Sequence, residues 1–164
     1  MPMDNPADLF LYELSGMYDA EHKSNQMIGE ILGRTEQSPL AQVLRAQQQQ
    51  GQQKIQNLET CFAMMETEPE DVPCMAMDGM RAEFQAFAQQ SPSMEAMEIY
   101  TVDAETRLAH MGIAMYQGLI DKALLMGELQ CAQILRTNLV QKQENAGTFE
   151  RISHELGQRV AMNV

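Results

Sequence analysis

Tryptophan is absent from the sequence, and aromatic residues make up only 5% of its 164 positions. With few β-branched runs as well, little favours a sheet-based core. Gln, Met, Leu, Ala and Glu are abundant instead, and these residues favour helix. Cysteine is scarce. Cys61, Cys74 and Cys131 form an odd set without Cys-x-x-Cys spacing, so no disulfide framework or zinc site is implied and a reducing cytoplasm fits. Basic residues are few: 11 Lys and Arg stand against 23 Asp and Glu, a net charge of −12. That balance argues against nucleic acid or anionic membrane as a main partner, since both need a basic patch. No apolar run is long enough to cross a bilayer. The opening MPMDNPADLF lacks the basic region and apolar stretch of a signal peptide. What is present suffices for a core, because 45% apolar residues in a chain of this length support one domain over residues 1–164.

The punctuation predicts long helices. In NPADLF, Asn5 can cap, Pro6 suits the first helical position and Asp8 complements the dipole. From there Phe10, Leu14, Met17, Glu21, Ser24, Ile28 and Ile31 recur at spacings of four and three, one stripe of a bundle helix. SPLAQVL opens a second helix with Ser38 as cap, running to about Glu66, and Pro69 and Pro73 break it. A short helix is expected over Met75 to Phe87. A third long helix is expected to be capped at Ser91, and a fourth to run from the Gly127 turn to about Val160. Four long helices, two short connections and one long crossover carrying the short helix predict an all-α, ferritin-like four-helix bundle.

Polar residues interrupt every inner stripe. Glu21 stands between Met17 and Ile28 in the first helix, either as part of a polar core or as an ordinary boundary residue. The second helix sends Leu44, Gln47 or Gln48, Gly51, Ile55, Leu58 and Phe62 inward, so its run of glutamines supplies mid-bundle residues. The third presents Val102, Thr106, Ala109, Ile113, Tyr116 and Ile120, with His110 and Gly112 beside them. The fourth presents Leu135, Asn138, Lys142, Asn145, Phe149, Ile152 and Leu156. These polar positions gather at one level, where such bundles build cofactor sites. A buried carboxylate there is costly unless it meets a cation or a hydrogen-bond network.

The segments YDAEHKSNQ, PCMAMDGMRAEF, LAHMGIAMYQGL and ILRTNL, in this order, resemble landmarks of the YciE/YciF-type ferritin-like proteins, the DUF892 family. The most specific part is Cys74-x-Ala76-Met77-x-Gly79. The resemblance implies a ferritin-like bundle, pairing into homodimers, an association with bacterial stress responses and, in several members, two metal ions held between carboxylates. Glu21 matches the family's glutamate in the first helix. At the positions where the resemblance implies further ligands, this chain has Gln49, Gln50 and Gly51 in the second helix and Ala109, His110 and Gly112 in the third. The fourth has Gln141, Lys142 and Ala146. A di-metal site needs about four carboxylates with imidazoles to neutralise the metal charge. One Glu and one His do not supply that, so a degenerate member without metal or other cofactor is expected. An ion pair from Lys142 to Glu21 is expected in its place.

His110 is expected as a hydrogen-bonded histidine inside the bundle rather than a ligand, and His22 and His154 at the surface. The methionines concentrated at Met64, Met65, Met75, Met77, Met80, Met94 and Met97 read first as pliable core filler, and second as an adaptable contact surface. Three functions follow. The first is a non-enzymatic structural or protein-interaction protein of the cytoplasm, with no nucleic-acid or membrane partner. The second is a di-iron or di-manganese oxidase or peroxide-handling protein with a reduced site. The third is an acidic adaptor or neutralising protein for a basic partner.

Overall fold

The computed structural model describes residues 2–163, and it contains five helices among them. Helix α1 spans Pro6–Thr35, and Asn5 caps it by accepting from the amides of Ala7 and Asp8. Helix α2 spans Leu40–Met64 and begins one residue after Pro39. Ser38 still serves the helix start, for its hydroxyl accepts from Leu40 N and donates to Glu98. The short α3 covers Met75–Ala88, α4 Met94–Leu125 and α5 Leu129–Met162.

Two caps differ from expectation. Pro39, rather than Ser38, holds the cap position of α2. Ser93, not Ser91, closes the start of α4, accepting from Ala96 N, while Ser91 adopts a left-handed φ of 52°. The proline after Ser91 explains this, since the true first turn lies beyond Pro92. Gly127, at φ 78°, reverses the chain between α4 and α5 as expected.

Helices α1, α2, α4 and α5 form the bundle, each packed on two of the others: α1 on α2 and α4, α5 on α4 and α2. Side-chain contacts give the directions. Glu13 meets Lys122 and Glu21 meets Tyr116, so α1 and α4 run antiparallel. Asn57 meets Asn138 and Cys61 meets the Cys131 carbonyl, so α2 and α5 are antiparallel too. Consequently α2 and α4 point the same way, and residues 65–93 must return along the length of the bundle. That is the long crossover, and α3 rides on it against α1. Lys23 of α1 fixes it there, 2.7 Å from Asp78, with Arg81 paired to Glu30.

Two apolar clusters fill the interior. One is built around Met27, Ile31, Leu44, Phe84 and Phe149, the other around Phe10, Leu14, Leu58, Phe62 and Tyr116. The methionines divide between roles: Met77 and Met97 are buried, whereas Met64, Met75 and Met94 are exposed. No helix among the described residues is long and apolar enough to cross a membrane.

Candidate functional site

The apolar clusters are separated by a charged layer to which each long helix contributes one residue. These are Glu21 from α1, Lys54 from α2, Glu105 from α4 and Lys142 from α5, all buried, with relative exposures of 1%, 2%, 4% and 8%. Lys142 Nζ lies 3.1 Å from Glu21 Oε1. The same oxygen accepts from the Tyr116 hydroxyl at 3.0 Å. Tyr116 in turn accepts from Asn138 at 3.1 Å, and Asn57 donates to Asn138 at 2.7 Å. A hydrogen-bond chain thus runs from α2 across α5 and α4 to the carboxylate on α1.

Small residues make room for these long side chains. A Cβ on Gly112 would come within 2.9 Å of Lys142 Cδ and Cε, and one on Gly51 within 2.0 Å of Asn25 Oδ1. The glycine inside the glutamine run therefore leaves room for the Asn25 side chain of α1 against α2. A cavity of about 20 Å³ remains, lined by all four charged residues with Gln47 and Ala109. That is about the room of one water molecule, against the several hundred Å³ typical of small-molecule sites. Glu105 Oε1 and Gln47 Oε1 are buried without a hydrogen-bond partner in the protein.

Burial governs the protonation of the layer. It pushes the Glu105 carboxyl up to about 7, although Lys142 and Lys54 pull the other way. Burial also brings the Lys54 ammonium down to about 8, helped by the like charge of Lys142 and opposed by Glu21 and Glu105. The two groups tilt stability with pH in opposite directions. Between 4.5 and about 7 the folded protein keeps a proton on Glu105 that the unfolded chain has released, so this contribution falls as pH rises through that window. Between about 8 and 10.5 the unfolded chain keeps a proton that folded Lys54 has lost, so stability rises with pH there. Their joint contribution is lowest between these windows, where both are charged. Glu105→Gln is therefore expected to gain stability relative to the parent, by about 2 kcal/mol, as pH rises from 5 to 7. Urea denaturation across that range measures it, and parallel pH profiles would remove the assignment.

Several sequence-derived positions lie elsewhere. His110 is not inside the bundle. It is exposed, with Nε2 3.3 Å from Glu150 Oε1, because Ala109 faces the cavity and the next helical residue is turned about 100° away. Gln49 is likewise on the outer face, two residues from inward-facing Gln47 and Gly51, and Gln50 is half-buried. Gln47, rather than the glutamine run as a whole, reaches the centre. Gln141 is half-buried beside Lys142, and Ala109, Gly112 and Ala146 are buried. His154 is exposed and His22 half-buried, edge-on to Tyr18.

Lys54 and Glu105 went unrecognised because each lies one residue off the line followed along its helix. Their spacing did carry a signal. Lys54 is four residues from Leu58, and Glu105 is four from both Thr101 and Ala109.

Four long helices in this connectivity, with one charged residue from each meeting at mid-height, define a ferritin-like bundle. A family model described as a domain of unknown function, DUF892, matches residues 5–162, and the chain belongs to that family. Protein YciF of Escherichia coli (strain K12) is 23% identical over 143 residues, covering 85% of this chain and 84% of YciF. The crystal structure of the E. coli stress protein YciF superposes with a TM-score of 0.89 at 19% identity, over 95% of this chain and 99% of that one. YcfI of Rhodopseudomonas palustris gives 0.85 at 24% identity, over 92% and 97%. The ferritin-like bundle and the family expected from the sequence are those found.

The centre does not fit the two metal ions that the fold can hold. Among the described residues no group of three or more His, Cys, Asp or Glu converges. The layer offers two carboxylates, no imidazole and two ammonium groups that repel cations, whereas a di-metal centre draws on about four carboxylates with imidazoles.

Proposed function

We propose that the chain acts as one bundle domain over residues 1–164, a metal-free, non-enzymatic member of its family with a stress-associated structural or protein-interaction role. The observation that carries this reading is the Glu21–Lys54–Glu105–Lys142 layer. Two ammonium groups supply inside the protein the positive charge that metal ions supply in a di-metal bundle, and the carboxylates are balanced without them. The cavity of about 20 Å³ supports the same reading, since it admits no organic substrate. The role in stress rests on the similarity to the E. coli stress protein YciF.

In this reading the protein works in the cytoplasm as a homodimer. Leu124, Leu125 and Leu129, exposed at the α4–α5 turn, support pairing of apolar surface. A basic protein partner is a second reading, favoured by the disposition of charge. Lys54 and Lys142 are buried, and Lys23, Arg81, Arg107 and Lys122 are paired with carboxylates. Few cations are left to offset the acidic surface.

Metal analysis of the purified protein after incubation with Fe²⁺ or Mn²⁺ is the test. Well under one equivalent per chain is expected, unchanged by Glu21→Ala. Two equivalents, lost in that variant, would overturn the proposal in favour of a reduced-site oxidase.

A further inference from the structure

Cys61 and Cys131 take no part in the charged layer, yet they meet. Cys61 lies in the last turn of α2 and Cys131 in the first turn of α5, with relative exposures of 0% and 1%. Seventy residues apart in sequence, they are joined by the Cys61 thiol donating to the Cys131 carbonyl at 3.8 Å. A hydrogen bond from Cys61 holds the Cys131 thiol below its ordinary value, against burial and the charge of Glu128, while Cys61 itself is driven upward. The first turn of a helix, rich in unpaired N–H groups, favours a thiolate. The two cysteines thus face each other from terminal turns, and Cys131, in the first turn of its helix, is the better placed to attack.

We propose that Cys61 and Cys131 form a dithiol that hydrogen peroxide converts into an intramolecular disulfide tying α2 to α5. The Cys131 thiolate attacks a peroxide oxygen. An S–O bond forms, the O–O bond breaks, and the departing hydroxide takes a proton and leaves as water. The Cys61 sulfur then attacks the sulfenic sulfur of Cys131. The S–S bond forms, the S–O bond breaks, and a second water leaves with the Cys61 proton. Two thiols and one peroxide give one disulfide and two waters, with two electrons passing to the peroxide. Access comes through the end of the bundle. Both cysteines sit in terminal turns, the elements that open most readily, and Leu129 and Gln130 just before Cys131 are exposed.

The experiment treats the reduced, full-length protein with hydrogen peroxide and follows intact mass, a non-reducing peptide map and the melting temperature. The expected product has the intact mass of a single chain, about 2 Da lighter, with the link between Cys61 and Cys131 inside that chain. Closing a loop of this length should raise its melting temperature by roughly 10 °C, and dithiothreitol should reverse the change. Cys74→Ser should behave as the parent. Cys61→Ala should stop at a sulfenic acid on Cys131, trapped by dimedone. Cys61 and Cys131 both remaining alkylatable after treatment, or disulfides forming only through Cys74 between chains, would overturn the proposal. So would cross-linking that occurs only in denaturant.

Discussion

Lys142→Met is expected to lower stability by about 3–5 kcal/mol, because it leaves Glu21 buried without its cation. The carboxylate is 1% exposed, and its remaining partner is the neutral Tyr116 hydroxyl. For a chain of this size that loss is a fall in melting temperature of roughly 10 °C. Methionine keeps the stem that packs on Gly112, so the cost reports the charge rather than a void. The companion Glu21→Gln/Lys142→Met isolates the cause. Glutamine still accepts from Tyr116, the charge is removed together with its partner, and Glu105 and Lys54 remain balanced. The double variant should lie within about 2 kcal/mol of the parent, since a buried pair replaced as a unit costs little. Thermal and urea denaturation of the parent, Glu21→Gln, Lys142→Met and the double variant close the cycle. Equal losses in the single and double variants would mean that the pair is not energetically coupled.

Lys54→Glu/Lys142→Glu should turn the layer into a metal site. Glutamates at 54 and 142 would join Glu21 and Glu105, one carboxylate from each long helix around the same cavity. Without a cation, four buried carboxylates repel one another, and the variant should be markedly less stable than the parent at pH 7. Mn²⁺ at a hundredfold excess over its dissociation constant would return about 2.7 kcal/mol, a rise of several degrees in melting temperature. The parent protein should show no such shift. The measurements are melting curves with and without Mn²⁺ and metal content after desalting. At pH 5, where part of the repulsion is lost to protonation, the variant should fold without metal and so can be examined even if it unfolds at pH 7. Folded variant with no Mn²⁺-dependent shift would show that these four positions do not converge as a ligand set.

Both experiments act on a layer that the sequence revealed only in part. Glu21 and Lys142 could be read because each is the charged residue on an inward line bounded by apolar ones, Met17 to Ile28 in one helix and Leu135 to Phe149 in the other. Lys54 and Glu105 could not. On a helix an inward stripe is wider than a single line of residues, and following Gly51 to Ile55 steps over Lys54, just as taking Thr106 steps over Glu105. His110 misled for a related reason. Its place beside Ala109 and Gly112 suggested the interior, but one residue turns the side chain about 100° and puts it beside Glu150. The glutamine run was legible as helix through its flanking apolar residues, yet which glutamine points inward depends on how α2 is rotated against its neighbours.

By itself, the sequence determined the helices, their order and the crossover. Caps, prolines, Gly127 and the four-and-three spacing act locally, over a turn or two of chain. Tertiary structure alone decided that two lysines and two glutamates share the centre, that Gly51 and Gly112 make room there, and that Cys61 lies against Cys131. Those facts depend on the rotation and depth of packed helices, and these are set by contacts between residues far apart in sequence, as Glu21 and Lys142 are.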